Sequence, residues 1–238
     1  MVKLLVSFFL LLSCTVKAEP VTIAVAANFK TTVEALAKDY QLTNTQFTYR
    51  ISSASTGILY NQIKHGAPFD LFFSADDLRP QQLVNEQHAI KQKPYAVGQL
   101  VFWAPQFTDQ NGEFVKGEAL WNKWSEPFAY ANPELAPYGA AAQQLVSEIN
   151  ASQKIILANN VSQVYQFIVT GNVKAGFVAR SIKTDLDGSF WIVPKNRHPA
   201  VTQNIALLTN TSQAVDFYHY LSSSAAHSII KENGYLLP

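Results

Sequence analysis

Four places in the chain set hydrogen-bond donors at a predicted helix start, directly after a strand-like run or a turn. They are Ala27-Asn28, Ser55-Thr56-Gly57, Tyr138-Gly139 and Asn160-Val161. The first N–H groups of a helix have no intrahelical partner, and the positive end of the helix dipole lies there. Hydroxyls and amides added at such a point form a site for an anion. Taken singly, each place also reads as an ordinary helix cap, since Ser, Thr and Asn are favoured N-cap residues. Four together, two in each half of the chain, would make a cleft rich in N–H and O–H donors and poor in formal charge. Such a cleft can replace the water shell of an oxyanion.

Enzyme chemistry finds less support. The five histidines, His65, His88, His198, His219 and His227, include no His-Glu-x-x-His pair. No Gly-x-Ser-x-Gly elbow and no Gly-x-x-x-x-Gly-Lys phosphate loop is present. Asp76-Asp77 and Asp185/Asp187 could be paired carboxylates, but acids this close read as solvated loop residues. No nucleophile, base and orienting group are brought together.

The donors need elements to hold them. Val21 to Ala27 is an apolar β-rich run, and Phe29, Val33, Leu36 and Tyr40 then repeat at helical spacing, with Asn28 at the expected N-cap. Phe47 to Ile51 and Gly57 to His65 read as a second strand and helix. Asp70 to Phe73 and Leu78 to Glu86 read as a third pair. Consecutive βα units predict a parallel sheet with its ligand side at the carboxyl ends of the strands. The same rhythm returns after residue 100, at Phe128 to Ala131, Ile155 to Ala158 and Lys174 to Ala179. Tyr95 to Pro105 reads as a strand that passes between two lobes, and Gln203 to Thr209 as one that returns.

The composition fits this plan. Of 238 residues, 48% are hydrophobic and 15% charged, enough apolar material for a substantial core. The net charge of +1 comes without a basic run, which argues against a nucleic-acid partner. Lys3, the apolar stretch Leu4 to Leu12 and Val16-Lys17-Ala18 predict a cleaved secretory signal over residues 1–18. Its removal takes away two lysines and no acid, leaving 16 basic and 17 acidic residues, a net charge near −1. The single cysteine, Cys14, falls inside that segment, so the mature chain has no disulfide or thiolate metal site. Leu11-Leu12-Ser13-Cys14 loosely resembles a lipoprotein box and leaves lipidation at Cys14 as an alternative.

Several stretches resemble the periplasmic molybdate-binding proteins of ABC-type oxyanion uptake systems. They are Val25-Ala-Ala-Asn-Phe29, Ser53-Ala-Ser-Thr-Gly57, Gly66-Ala-Pro-Phe-Asp-Leu-Phe-Phe-Ser-Ala-Asp76, Asn132-Pro-Glu-Leu-Ala-Pro-Tyr-Gly139, Asn160-Val161 and Gly176-Phe-Val178. The resemblance implies an α/β, two-lobed type II periplasmic-binding-protein fold with a hinge of two crossing strands. Lobe 1 would be residues 19–98 plus 208–238, and lobe 2 residues 99–207. It implies a molybdate or tungstate dianion, molybdenum entering as oxyanion only, held by Asn28, Thr56, Tyr138 and the Val161 N–H, with Ala27 and Ser55 beside them. Thr56 carries the expectation more than Ser55. Some members place a tyrosine where this chain has Ala179, and Tyr138 would supply that phenol from another direction. Lys30 and Arg180 are expected to stay outside the contacts. The implied protein is a periplasmic monomer without catalysis or cofactor, which delivers its ion to the membrane permease of an ABC importer. Alternatives are another ligand (sulfate, phosphate or a small organic acid), a secreted α/β hydrolase, or the effector-binding half of a transcription regulator.

Overall fold

The computed structural model describes residues 19–149, 154–182 and 184–238. The expected signal segment, with Cys14, lies outside the described residues.

Two five-stranded sheets carry the fold. Strands β1 (Val21–Ala26), β2 (Tyr49–Ala54), β3 (Leu71–Phe73), β4 (Lys91–Gly98) and β10 (Val201–Leu207) form the first, in the order β2-β1-β3-β10-β4. Strands β5 (Leu100–Ala104), β6 (Phe128–Ala131), β7 (Ile155–Ala158), β8 (Gly176–Ala179) and β9 (Ser189–Ile192) form the second, in the order β7-β6-β8-β5-β9. The plan is the same twice. Three parallel strands come first, then an antiparallel strand that arrives from elsewhere in the chain.

The period-2 pattern of the strands sorts the first core. Val21, Ile23 and Val25 face one side of the sheet with Leu71, Phe73, Ile205 and Leu207. Helices α1 (Lys30–Thr43), α7 (Ser212–Tyr220) and α8 (Ser224–Glu232) add Val33, Leu36, Phe217 and Ile230 to that side. Ala24, Phe72 and Ala206 face the other side, against Leu59 of α2 (Thr56–Lys64) and Leu83 of α3 (Leu78–Asn85). The second lobe packs Phe102, Phe128 and Phe177 with Trp121 of α4 (Glu118–Lys123) and Leu145 of α5 (Pro137–Val146), and Val164 of α6 (Val161–Val169) joins the same core. Among the described residues, no helix is long and apolar enough to cross a membrane.

Two expectations about the crossings change. The run from Tyr95 to Pro105 is two strands rather than one, β4 in the first sheet and β5 in the second, broken at Gln99. The expected lobe boundary at residue 207 does not match the sheets. Val201 already pairs with Gly98, the whole of Val201–Leu207 pairs with β4, and Ile205–Leu207 also pair with β3. The return crossing is therefore the stretch 193–200, with its short 3-10 turn Lys195–Arg197. The apolar alternation of this strand says that it is buried, but not in which sheet. Near residue 238, the Leu236 backbone pairs with Val97 at 2.7 and 3.0 Å, an isolated antiparallel bridge on the outer edge of β4.

Candidate functional site

The carboxyl ends of the parallel strands in both sheets meet at one small pocket. Ala26, Ala27, Asn28, Ser55, Thr56 and Ala75 line it from the first lobe, and Ala136, Pro137, Tyr138, Asn160 and Val161 from the second. Its empty space is ≈ 210 Å³, mouth included, which suits a compact ion better than an extended substrate. All six residues expected at a site are brought together here. Lys30 stays outside, exposed and 4.0 Å from Glu34, and Arg180 does not line the pocket. The Asp76 carboxylate is bound to the Arg79 guanidinium and is no lining group. Among the described residues, no cluster of His, Cys, Asp and Glu could hold a metal cation.

The donors differ in how much of their capacity the protein itself uses. Ser55 is the N-cap of α2, yet its side chain makes no capping bond. Its Oγ is buried with no partner, one of three such atoms among the described residues and the only one on a pocket-lining residue. A buried hydroxyl left unpaired costs about 1–3 kcal/mol unless something else bonds to it. Thr56 follows, buried, and its Oγ1 accepts the Ala75 N–H at 3.1 Å. That contact leaves the Thr56 hydroxyl proton free to donate. The geometry thus puts Ser55 level with Thr56, where the sequence reading favoured Thr56. Gly57 lets α2 approach the other lobe, and its N–H donates to Leu135 O at 2.9 Å.

Asn28 departs from its expected role. A 3-10 turn, Ala27–Phe29, precedes α1, so Asn28 lies before the helix rather than capping it. Its Nδ2 donates to Gln203 Oε1 and to Tyr235 Oη, both at 2.9 Å. Both amide hydrogens are thus used inside the protein, and the side chain is not a free donor to the pocket. The N–H groups of Ala27 and Asn28 open the turn, where intrahelical partners are lacking. The reason is burial: Gln203 and Tyr235 are buried polar groups that need partners more than a solvent-facing cap does.

In the second lobe Asn160 does cap its helix, its Oδ1 accepting the Gln163 N–H at 3.0 Å. The Val161 N–H stands at the opening of α6. Tyr138, in the first turn of α5, is buried, and its Oη accepts from Gln203 Nε2 at 3.2 Å. Burial, with Tyr235 close by, pushes the Tyr138 phenol well above its ordinary pKa, although the Gln203 hydrogen bond pulls the other way. Tyr138 therefore keeps its proton and can act only as a neutral donor toward an anion.

Both lobes are tied together around this pocket. Ser162 Oγ donates to Ala27 O and Ser181 Oγ to Asn28 O, each at 3.1 Å. Arg79 Nη2 donates to Glu134 O at 2.9 Å. Gln203 reaches from β10 to Tyr138. Sequence reading missed Gln203, Tyr235 and Gly98. A Cβ at Gly98 would lie 2.0 Å from Tyr138 Oη, so only glycine leaves room for the phenol. The one available signal was a glutamine inside an apolar strand.

Known proteins agree with this architecture. The family model described as "Bacterial extracellular solute-binding protein" matches residues 21–236. A molybdate-binding protein of Azotobacter vinelandii is 34% identical over 94% of this chain and 93% of its own length. One from Rhodobacter capsulatus is 33% identical over 92% and 89%. The solved periplasmic molybdate-binding protein of Azotobacter vinelandii superposes with a TM-score of 0.80 at 33% identity, over 92% of this chain and 99% of that one. The fold is the two-lobed type II binding-protein architecture expected from the sequence. The chain belongs to the bacterial extracellular solute-binding protein family.

Proposed function

We propose that this protein captures molybdate, and with it tungstate, in the pocket between its lobes and hands the ion to the membrane permease of an ABC importer. The observation that carries this reading is a pocket built from two half-sites with neutral donors, one of them the buried, unpartnered Ser55 hydroxyl. The contact set is Ser55 and Thr56 hydroxyls, the backbone N–H groups of Ala27 and Asn28, the Tyr138 phenol and the Val161 N–H. A dianion stripped of water needs several such donors, because an unpaired buried charge is far more costly than an unpaired hydroxyl. Neutral donors meet that need while leaving the closed site free of a fixed counter-charge. The relatives at 34% and 33% identity, both named as molybdate-binding, support the choice of ion. Donors from opposite lobes imply that the lobes part and close about the two crossings to load and release the ion. The protein works as a monomer in the periplasm and catalyses no reaction.

The test is titration of the intrinsic fluorescence of the four Trp and ten Tyr with molybdate, tungstate and sulfate. Saturable responses to the first two at low concentration, with sulfate weaker by at least an order of magnitude, are expected. A preference for sulfate or phosphate would move the assignment to another oxyanion. No response to molybdate or tungstate would end it.

A further inference from the structure

We propose that Gln203 and Tyr235, which do not line the pocket, are positioning residues that turn the Tyr138 phenol proton toward the bound anion. The proposal rests on the oxyanion reading above. It follows from the direction of a chain of hydrogen bonds. Tyr235 Oη lies 2.8 Å from the backbone O of Asn28, an atom that can only accept. A phenol has one proton, so Tyr235 donates there and must accept in its contact with the Asn28 side chain. The atom facing Tyr235 is therefore Nδ2, at 2.9 Å. The second hydrogen of Nδ2 goes to Gln203 Oε1, also at 2.9 Å. Tyr95 Oη stands 2.9 Å from the same oxygen and 3.1 Å from the Ser74 backbone O, so its single proton is shared between these two acceptors.

With the Asn28 amide, itself fixed by Tyr235, donating to Oε1, the Gln203 amide is held in this sense, and its Nε2 faces Tyr138 Oη. An amide nitrogen only donates, so Tyr138 accepts from Gln203, and its own proton is left for the pocket that it lines. If Gln203 were reversed, its carbonyl would take the phenol proton and the anion would face a lone pair. Asn28, Gln203, Tyr95, Tyr138 and Tyr235 are all buried, so water does not compete for these bonds. The chain starts beside the C-terminal edge segment, runs through β10 and ends on α5 of the other lobe. It therefore delivers the proton direction only when the lobes are together.

A double-mutant cycle read by calorimetric titration with molybdate tests this. Gln203→Met should weaken binding roughly tenfold or more in the otherwise unmodified protein, as expected for a misdirected hydrogen bond to a charged ligand. In a Tyr138→Phe background the same change should cost less than about twofold, because no phenol proton remains to be directed. Tyr235→Phe should repeat the pattern with a smaller loss, and it carries the cycle if Gln203→Met does not fold. The ultraviolet difference band of a tyrosine donating to an anion should accompany binding. That band should vanish in Tyr138→Phe and shrink in the Gln203 and Tyr235 variants. Equal losses in both backgrounds would make Gln203 a mere structural support and overturn the proposal while leaving the oxyanion site standing. Failure of the unmodified protein to bind molybdate would overturn both.

Discussion

The two half-sites are built on the same plan and use it differently. Each lobe sends a parallel strand into a helix, β2 into α2 and β7 into α6, with a polar residue at the N-cap. In the second lobe Asn160 spends its side chain on the Gln163 N–H of its own helix. In the first lobe Ser55 makes no such bond and stays buried without a partner. Both residue types are good caps on the same statistical ground. One stabilises its helix, and the other is held in reserve for whatever enters the pocket. A donor that is already satisfied contributes to folding, whereas an unsatisfied one raises the free energy of the empty closed state and returns it on binding.

The change expected to break the site most completely lies in neither cap. Gly98→Ala puts a methyl 2.0 Å from Tyr138 Oη and 2.9 Å from Gln203 Nε2. The phenol must leave its place, and overpacking of this kind costs about 1–3 kcal/mol of stability. Titration should show molybdate affinity lowered by about a hundredfold, from the lost phenol donor and the strained closure together. An affinity within twofold of the unmodified protein would remove Tyr138 from the site.

The paired changes Ser55→Ala and Asn160→Ala test the contrast between caps directly. Ser55→Ala should weaken molybdate binding by about 1.5–3 kcal/mol, the value of a hydrogen bond to a charged group, and leave the thermal midpoint of the free protein unchanged or raised, since an unpaired hydroxyl is removed. Asn160→Ala should do the reverse, lowering stability by about 1 kcal/mol through the lost cap with a smaller effect on affinity. Calorimetric titration and thermal unfolding of the same two samples decide it. A stability loss at Ser55 as large as at Asn160 would mean that the two caps are alike after all.

The smallest effect concerns pH. Tyr138 and Tyr95 both titrate well above their ordinary value, chiefly because they are buried. For a phenol raised in the folded state, the contribution to stability is complete below the unfolded pKa of about 10 and is lost as pH rises past it. Molybdate affinity should therefore be flat between about pH 7 and 9, and stability should fall above about pH 10. A decline in affinity starting near neutrality would place a group of lower pKa among the donors, which the lining residues do not contain.

Much of this molecule was legible along the chain, and the failures have physical causes. The alternation of Val21, Ile23 and Val25 and the helical spacing of Val33, Leu36 and Tyr40 are local signals, and they lead to β1 and α1 as found. Six pocket residues were legible because helix starts after strands are local features as well. The partners of those residues were not. Asn28 meets Gln203 and Tyr235, 175 and 207 positions away. No local pattern distinguishes an amide that caps a helix from one that completes a buried network.

The sequence by itself therefore determined the two-lobed α/β plan and the six expected residues that line the pocket. Periodicity, turn residues and capping types act within a few positions of one another. Only the tertiary structure decided which donors are already used. Saturation of a hydrogen bond depends on what the fold brings within about 3 Å, and on whether water can reach it. That is why Ser55 rises to stand with Thr56, why the Asn28 side chain turns inward, and why a glutamine in the middle of a strand sets the direction of a tyrosine in the opposite lobe.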